Sequence, residues 1–289
     1  ATMPSKPRSK PLPGLYIVAT PIGNLDDLTL RALDLLSSVD RIACEDMRHT
    51  RILLNRHGIE ARLIPYHEHN AKQMMPNIMA RLAHGETVAL VSDAGTPLIS
   101  DPGYKLVRKA VQSGIHVSAL PGASAALAAL TLSGLPSDRF LFAGFLPTKT
   151  AARRKSLRHL ASIDATLIFF ESPRRLAASL IDMATELGTR DGAVARELTK
   201  LHEEMRYGDL TELASHYAEA GAPKGEVTLV IGPPYASKAP NNKEIDARLT
   251  ELLQTESVRD SASKLAAEIG LPRRDLYQRA MHLANKKLR

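Results

Sequence analysis

From Gly14 onward, short apolar runs alternate with stretches whose apolar residues recur every three or four positions. Residues 15–19, 41–44, 63–66, 88–91 and 117–120 read as strands. Between them Leu28, Ala32, Leu35 and Leu36 mark a helix, and a short helix beginning at Ile52 ends at Gly58. Met74, Met75, Ile78, Met79 and Leu82 mark another helix, followed by helices over 104–110 and 124–132. Val88 to Val91 is apolar throughout, as a strand buried on both faces must be. This alternation predicts a mostly parallel sheet covered on both sides.

The segment Ser133-Gly134-Leu135-Pro136-Ser137 interrupts the pattern and divides the chain. A second series follows: strands over 140–145, 166–170, 193–198, around Met205 and over 227–231, with a basic helix over 153–160 and a helix over 176–187. Strands that follow one another more directly predict a mixed sheet. After Gly232-Pro233-Pro234 and a polar linker, three short apolar stripes (Ile245, Leu249, Leu252; Ala262, Leu265, Ala266, Ile269; Leu276, Ala280, Leu283) predict helices. The last two flank Gly270-Leu271-Pro272, as in a helix-turn-helix. The expected organisation is a basic disordered tail over 1–13, α/β domains over 14–132 and 137–234, and a helical domain over 243–289.

A net charge of +7 favours polyanionic partners. Residues 243–289 carry ten basic against seven acidic side chains, which suits either an RNA contact or a packing appendage. One cysteine, Cys44, excludes an intrachain disulfide and suits a reducing, cytoplasmic compartment. No run approaches the ~20 apolar residues of a membrane span, so no membrane partner is expected.

No glycine lies two positions from another, and Gly-Lys-Ser/Thr does not occur. The dinucleotide fingerprint, the Walker A loop and the glycine-rich loop of the commonest methyltransferases therefore all fail. What remains are three loops between an apolar strand and a helix, where open α/β sheets place ligands. They are Ala19-Thr20-Pro21-Ile22-Gly23-Asn24-Leu25, Ser92-Asp93-Ala94-Gly95-Thr96-Pro97 running on to Asp101-Pro102-Gly103, and Leu120-Pro121-Gly122-Ala123-Ser124-Ala125.

With Cys44-Glu45-Asp46, Arg48-His49-Thr50, His67-Glu68-His69-Asn70, Gly144-Phe145-Leu146-Pro147, Phe170-Glu171-Ser172-Pro173, Arg196-Glu197-Leu198-Thr199-Lys200 and Lys224-Gly225-Glu226, these loops resemble the tetrapyrrole methylase superfamily. Within it, the chain resembles the ribosomal RNA small-subunit methyltransferase I family. The porphyrin-precursor branch carries Gly-x-Gly-Pro-Gly where this chain has Thr20-Pro21-Ile22-Gly23-Asn24, which favours RNA over a tetrapyrrole. The resemblance implies a two-domain α/β enzyme, usually a homodimer, with S-adenosylmethionine folded into the interdomain cleft. It implies 2′-O-methylation of a cytidine in the decoding region of 16S RNA in the small ribosomal subunit. A tetrapyrrole-precursor methyltransferase and a non-catalytic ribosome-binding module are the competing readings.

On this resemblance Thr20 and Pro21 are expected to bind the cofactor, and Asp93, Gly95, Thr96, Ser124 and Ala125 to meet its amino acid and ribose. Phe170, Leu198 and the backbone from Lys224 through Gly225 and Glu226 to Val227 are expected at its adenine, ordinary core being the alternative for Phe170. A general base for the 2′-hydroxyl is open among Asp101, Glu171, His67 and His69, the carboxylates alternatively starting helices. Arg48, His49, His69, Asn70, Arg153, Arg154 and Lys200 are the expected RNA contacts, set against the alternative of a solvated charged face. His67 and His69 would share one face of an extended segment, but without further ligands a metal is not expected.

Overall fold

The computed structural model describes residues 11–100, 103–235, 242–269 and 271–287. By internal contacts the chain forms two compact units, 1–233 and 234–289. Most of the basic tail, the linker, Gly270 and Asp101-Pro102 lie outside the described residues.

The first sheet is wholly parallel, in the order β3 (Leu63–Pro65), β2 (Arg41–Cys44), β4 (Thr87–Leu90), β1 (Gly14–Val18), β5 (Val117–Leu120). Period-two alternation sends Tyr16, Val18, Ile42 and Ala89 to one face, under α1 (Leu30–Leu36) and α2 (Met47–Arg56). Leu15, Ile17, Ala43, Val88 and Leu90 go to the other, under α3 (Ala71–Ala83) and α4 (Tyr104–Gln112). Both faces are thus dry, as the unbroken apolar run at Val88 requires. The chain leaves β1 toward β2 and leaves β4 toward β5, in opposite directions from neighbouring strands. Such a switch point opens a crevice at the carboxyl ends.

The second sheet is mixed, as expected, in the order β6 (Phe140–Phe145), β7 (Thr166–Glu171), β10 (Val227–Ile231), β8 (Asp191–Arg196), β9 (Glu204–Asp209). Only the β6–β7 pair is parallel. One face packs on α6 (Thr150–Leu160), α7 (Leu176–Leu187) and α8 (Leu210–Ala220). The other packs on α5 (Ala125–Ser133), whose Ala126, Ala129 and Leu130 meet Ile168, Ala193, Ala195 and Val230. The Ala/Leu helix closing the first half is therefore a lid on the second sheet, and one apolar cluster welds the halves together.

Two expectations need correction. The helix expected from Ile52 starts at Met47, because the Asp46 side chain accepts from the Arg48 N–H and caps it. Helix α8 is not among the expected elements, yet Asp209 and Glu212 form a reciprocal capping box at its start, and Leu210, Leu213, Ala214 and Tyr217 supply its buried stripe.

The second unit holds α9 (Asn242–Leu252), α10 (Val258–Ile269) and α11 (Arg273–Lys287) around its own core of Ile245, Leu249, Ala262, Leu265 and Leu276. Among the described residues no helix is long and apolar enough to cross a membrane.

Candidate active site

At the switch point the loops after β1 and β4 are stitched together: Thr20 N–H donates to the Gly95 carbonyl at 2.9 Å and Gly95 N–H to the Thr20 carbonyl at 3.0 Å. Gly95 has φ +76°, and a Cβ there would lie 3.3 Å from Ile22, so a side chain would narrow the crevice. Thr96 Oγ1 donates to the Ala123 carbonyl at 3.1 Å, tying in the loop after β5. Ser124 caps α5 through the Leu127 N–H.

Above these loops, between the two sheets, lies a cavity of about 370 Å³. The first half contributes Ile22, Gly95, Thr96, Ile99, Ser124 and Ala125; the second contributes Phe145, Phe170, Ser172, Gly225, Val227 and Thr228. Phe170 stands edge-to-face with Phe142 and Phe145, at 4.8 and 5.7 Å between ring centres. A mostly apolar wall with a few convergent hydroxyls and backbone groups is the ordinary make-up of a small-molecule site. A second chamber of about 210 Å³ opens beside it, lined by Thr20, Pro21, His49, Thr50, Ser92, Asp93 and Lys200 among others. The chambers share Ile22, Ala94 and Glu226. A wider groove of about 630 Å³ lies at the amino ends of β2 and β4, but its walls are charges such as Arg41 and Glu86, already paired at 3.3 Å.

The segment after β8 reaches across to the first half. Asn24 N–H donates to Thr199 Oγ1 at 3.0 Å, and Gly23 packs so tightly on Lys200 that a Cβ would come within 2.5 Å. Glu197 and Thr199 hold left-handed backbone, φ +51° and +66°, which non-glycine residues adopt only under constraint. The constraint is a charged latch: Lys200 Nζ donates to Glu197 Oε1 and to Glu226 Oε2, each at 2.9 Å, and Glu226 N–H donates to Glu197 Oε1 at 2.9 Å. Hydrogen bonds from Lys200, then from the Glu226 N–H, hold the Glu197 carboxyl below its usual range. Desolvation pulls the Lys200 ammonium down, but its bonds to Glu197 and Glu226 outweigh that and push it up.

Of the expected cofactor residues, Gly95, Thr96, Ser124, Ala125, Phe170, Gly225, Glu226 and Val227 line the main cavity. Thr20, Pro21 and Asp93 line the side chamber instead, where Asp93 Oδ1 accepts the Asp46 N–H at 3.0 Å. Leu198 is buried in the shared apolar cluster, and Lys224 lines neither chamber, its carbonyl accepting from Arg196. Ile22, Ile99 and Thr228 join the wall without having been expected there, and so does Phe145, which stands in a motif that carries no assigned role.

Among the expected bases, Glu171 borders the main cavity but its carboxylate is fully engaged, by Ser172 N–H at 2.7 Å, Ser179 Oγ at 2.6 Å and Arg175 at 3.0 Å. Buried and held by three donors, it anchors the loop after β7. His67 and His69 line neither chamber; their rings meet edge-to-face at 6.1 Å. Asp101 lies outside the described residues.

Among the expected RNA contacts, His49 and Lys200 line the side chamber. Arg48 is exposed and paired with Asp46 at 2.9 Å, and this hydrogen-bonded guanidinium lowers the Asp46 carboxyl to about 2. Asn70 shapes a turn, its side chain bonding the His67 N–H and the Pro65 carbonyl. Arg153 contradicts its expected role: it is 4% exposed and paired with Asp182 at 2.6 Å. Arg154 shares that carboxylate at 2.7 Å, so these two arginines fasten α6 to α7.

Residues 14–214 match the family of Tetrapyrrole (Corrin/Porphyrin) Methylases, and residues 239–284 match the RsmI C-terminal HTH domain. Ribosomal RNA small subunit methyltransferase I of Mesorhizobium japonicum is 54% identical, over 95% of this chain and 94% of its own. The protein of that name from Escherichia coli O157:H7 is 47% identical, over 92% and 94%. A crystal structure of uroporphyrin-III C-methyl transferase from Thermus thermophilus, complexed with S-adenyl homocysteine, shares the fold at TM-score 0.55 and 18% identity, over 75% of this chain and 96% of its own. Relatives about half identical along almost the whole chain, together with both domain matches in order, settle its kinship: the chain belongs to the ribosomal RNA small subunit methyltransferase I family.

Proposed function

We propose that this protein transfers the methyl group of S-adenosylmethionine to the 2′-hydroxyl of a cytidine in the decoding region of small-subunit ribosomal RNA. The observation that carries the reading is the pair of joined chambers at the switch point, one largely apolar and one polar. The larger chamber, about 370 Å³, falls within the roughly 300–1,000 Å³ of small-ligand pockets. Its chemistry fits the cofactor: Phe145, Phe170 and Val227 offer apolar surface to adenine, while Thr96 and Ser124 offer hydroxyls to ribose or the amino-acid end. Gly95 leaves open the space where a Cβ would approach Ile22.

When bound, S-adenosylmethionine supplies an electrophilic methyl on a sulfonium sulfur. The protein's own task is to align the acceptor oxygen with that methyl, at ~3–3.5 Å, and to exclude water. The wall shared by both chambers, Ile22, Ala94 and Glu226, is where the reacting atoms meet. Carboxylates of Asp93 and Glu226 border the side chamber and favour a cationic centre nearby. In this reading the protein works as a cytoplasmic homodimer, and the exposed Phe140 of edge strand β6 suits a partner surface.

Tritiated cofactor, incubated with small subunits from a strain lacking the gene, labels one cytidine ribose in the RNA. Label entering only a porphyrin precursor, or tight cofactor binding with no transfer, refutes the proposal.

A further inference from the structure

The methyl-transfer reading leaves open where the acceptor nucleoside sits and which group takes its proton. Resting on that reading, we propose that the side chamber receives the acceptor nucleoside and that Glu226 takes the proton from its attacking hydroxyl.

Position comes first. Glu226 borders both chambers, whereas Asp93, His49 and Lys200 border only the side chamber. An acceptor oxygen can touch both a group in the side chamber and a methyl in the main one only at the shared wall. That wall is otherwise Ile22 and Ala94, so Glu226 is its one ionisable side chain.

Availability comes second. Glu171, the other carboxylate on the main cavity, is surrounded by donors and buried. Glu226 spends one oxygen, Oε2, on Lys200, and its side chain is 74% exposed. Its other oxygen is therefore open to an acceptor hydroxyl, and a proton taken up has a path to solvent.

Charge comes third. The charged side chains of the side chamber are Asp93, Glu226 and Lys200, and Lys200 is shared with Glu197. A balance of carboxylates over ammonium repels phosphate and accepts hydrogen bonds from hydroxyls and exocyclic amines. The uncharged sugar and base of the nucleotide suit this lining. Lys200 acts as a positioning residue: paired with both carboxylates, it fixes Glu226 Oε2, so that the other oxygen is the one left to meet the acceptor hydroxyl.

In the step, the acceptor O–H bond breaks toward Glu226 while the oxygen forms its bond to the methyl carbon. The carbon–sulfur bond breaks with its electron pair staying on sulfur. The products are a 2′-methoxy ribose, a neutral thioether and a protonated Glu226, which releases its proton to water.

The test uses full-length protein and gene-deleted small subunits. Glu226→Gln is expected to lower kcat roughly 10²–10⁴-fold. Its affinity for S-adenosylhomocysteine, by calorimetry, and its melting temperature remain those of the wild type. Lys200→Met lowers kcat less, and Lys200→Arg restores it. His49→Ala raises KM for the subunit and keeps kcat. Glu226→Gln with kcat within about threefold of wild type overturns the assignment, as does a kcat loss in His49→Ala as large as that in Glu226→Gln, or loss of S-adenosylhomocysteine binding in Glu226→Gln. Wild-type protein that binds S-adenosylhomocysteine but labels no subunit RNA refutes the methyl-transfer reading itself, and the acceptor chamber with it.

Discussion

Asp182 shows how little a charged residue's type says about its work. Buried to 3% exposure at its side chain, it holds Arg153 at 2.6 Å and Arg154 at 2.7 Å. From the sequence, the basic run from Arg153 onward looks like a phosphate-binding face, because nothing local reveals a carboxylate 29 positions later. Removing that carboxylate leaves Arg153 a buried, unpaired cation, so Asp182→Ala is expected to cost about 3–5 kcal/mol. Urea denaturation measures it, and a loss below about 1 kcal/mol would show the pair to be solvent-screened. Gly225 makes the converse case. Its φ is +92°, and a Cβ would fall within 2.2 Å of the Glu197 carboxyl. Gly225→Ala must either break the latch or tilt the strand edge under Phe170, at a strain of about 1–3 kcal/mol. At least a fivefold weaker calorimetric affinity for S-adenosylhomocysteine is expected; unchanged affinity would separate the latch from the cavity.

At the scale of elements, strand runs are legible where the chain is apolar over four to six residues: 41–44, 117–120, 140–145 and 227–231 fall where the apolar runs place them. Helix starts are harder, since they are set by caps. The Asp46 cap moves α2 forward to Met47 and carries His49 and Thr50 from a loop onto a helix facing the side chamber. Helix α8 is written in plain terms, Asp209 with Glu212 and an apolar i, i+3, i+4, i+7 stripe, but the strands on either side of it mask the change of period. The site is half legible. Loops after strands can be named, but Ile99 and Thr228 become wall residues only through the way α5 seats the second sheet over the first. The segment 197–200 is visible as a motif but not as a latch, because its partners Gly23, Asn24 and Glu226 are distant in sequence.

That latch has a pH window. Glu197 sits below its ordinary value, so its contribution is present above the unfolded carboxylate range, about 4.3, and is lost as pH falls through the folded value. Lys200 sits above its own, so its contribution is full below about 10.4 and is lost as pH rises through the folded value. Amide-exchange protection at Glu226, whose N–H bonds Glu197, should be level over roughly pH 6–9 and fall on the acid side. Full protection at pH 3 would mean that the backbone, not the ion pair, holds the segment.

At the scale of the whole molecule, the chain falls into two compact units. The unit ending at Pro233 contains both chambers and every residue of the latch. The unit from Pro234 has its own core, and its Arg279 and Arg248 are committed to internal pairs with Asp246 and Glu251. Paired charges hold a small helical unit together but release few counterions on binding a polyanion, so the formal excess of basic residues overstates its electrostatic reach. Arg273 and Arg274 are exposed at the start of α11, beside the positive end of the helix dipole. Ending the chain after Pro233 is therefore expected to leave S-adenosylhomocysteine affinity unchanged while weakening binding to small-subunit RNA. The slope of log K against log salt should become shallower by about 1–2, near 0.7–0.9 for each phosphate no longer neutralised. Titrations at several salt concentrations read both terms at once. A truncated protein with unaltered RNA affinity and slope would assign the second unit to packing, whereas failure to bind cofactor would show that the chambers depend on it.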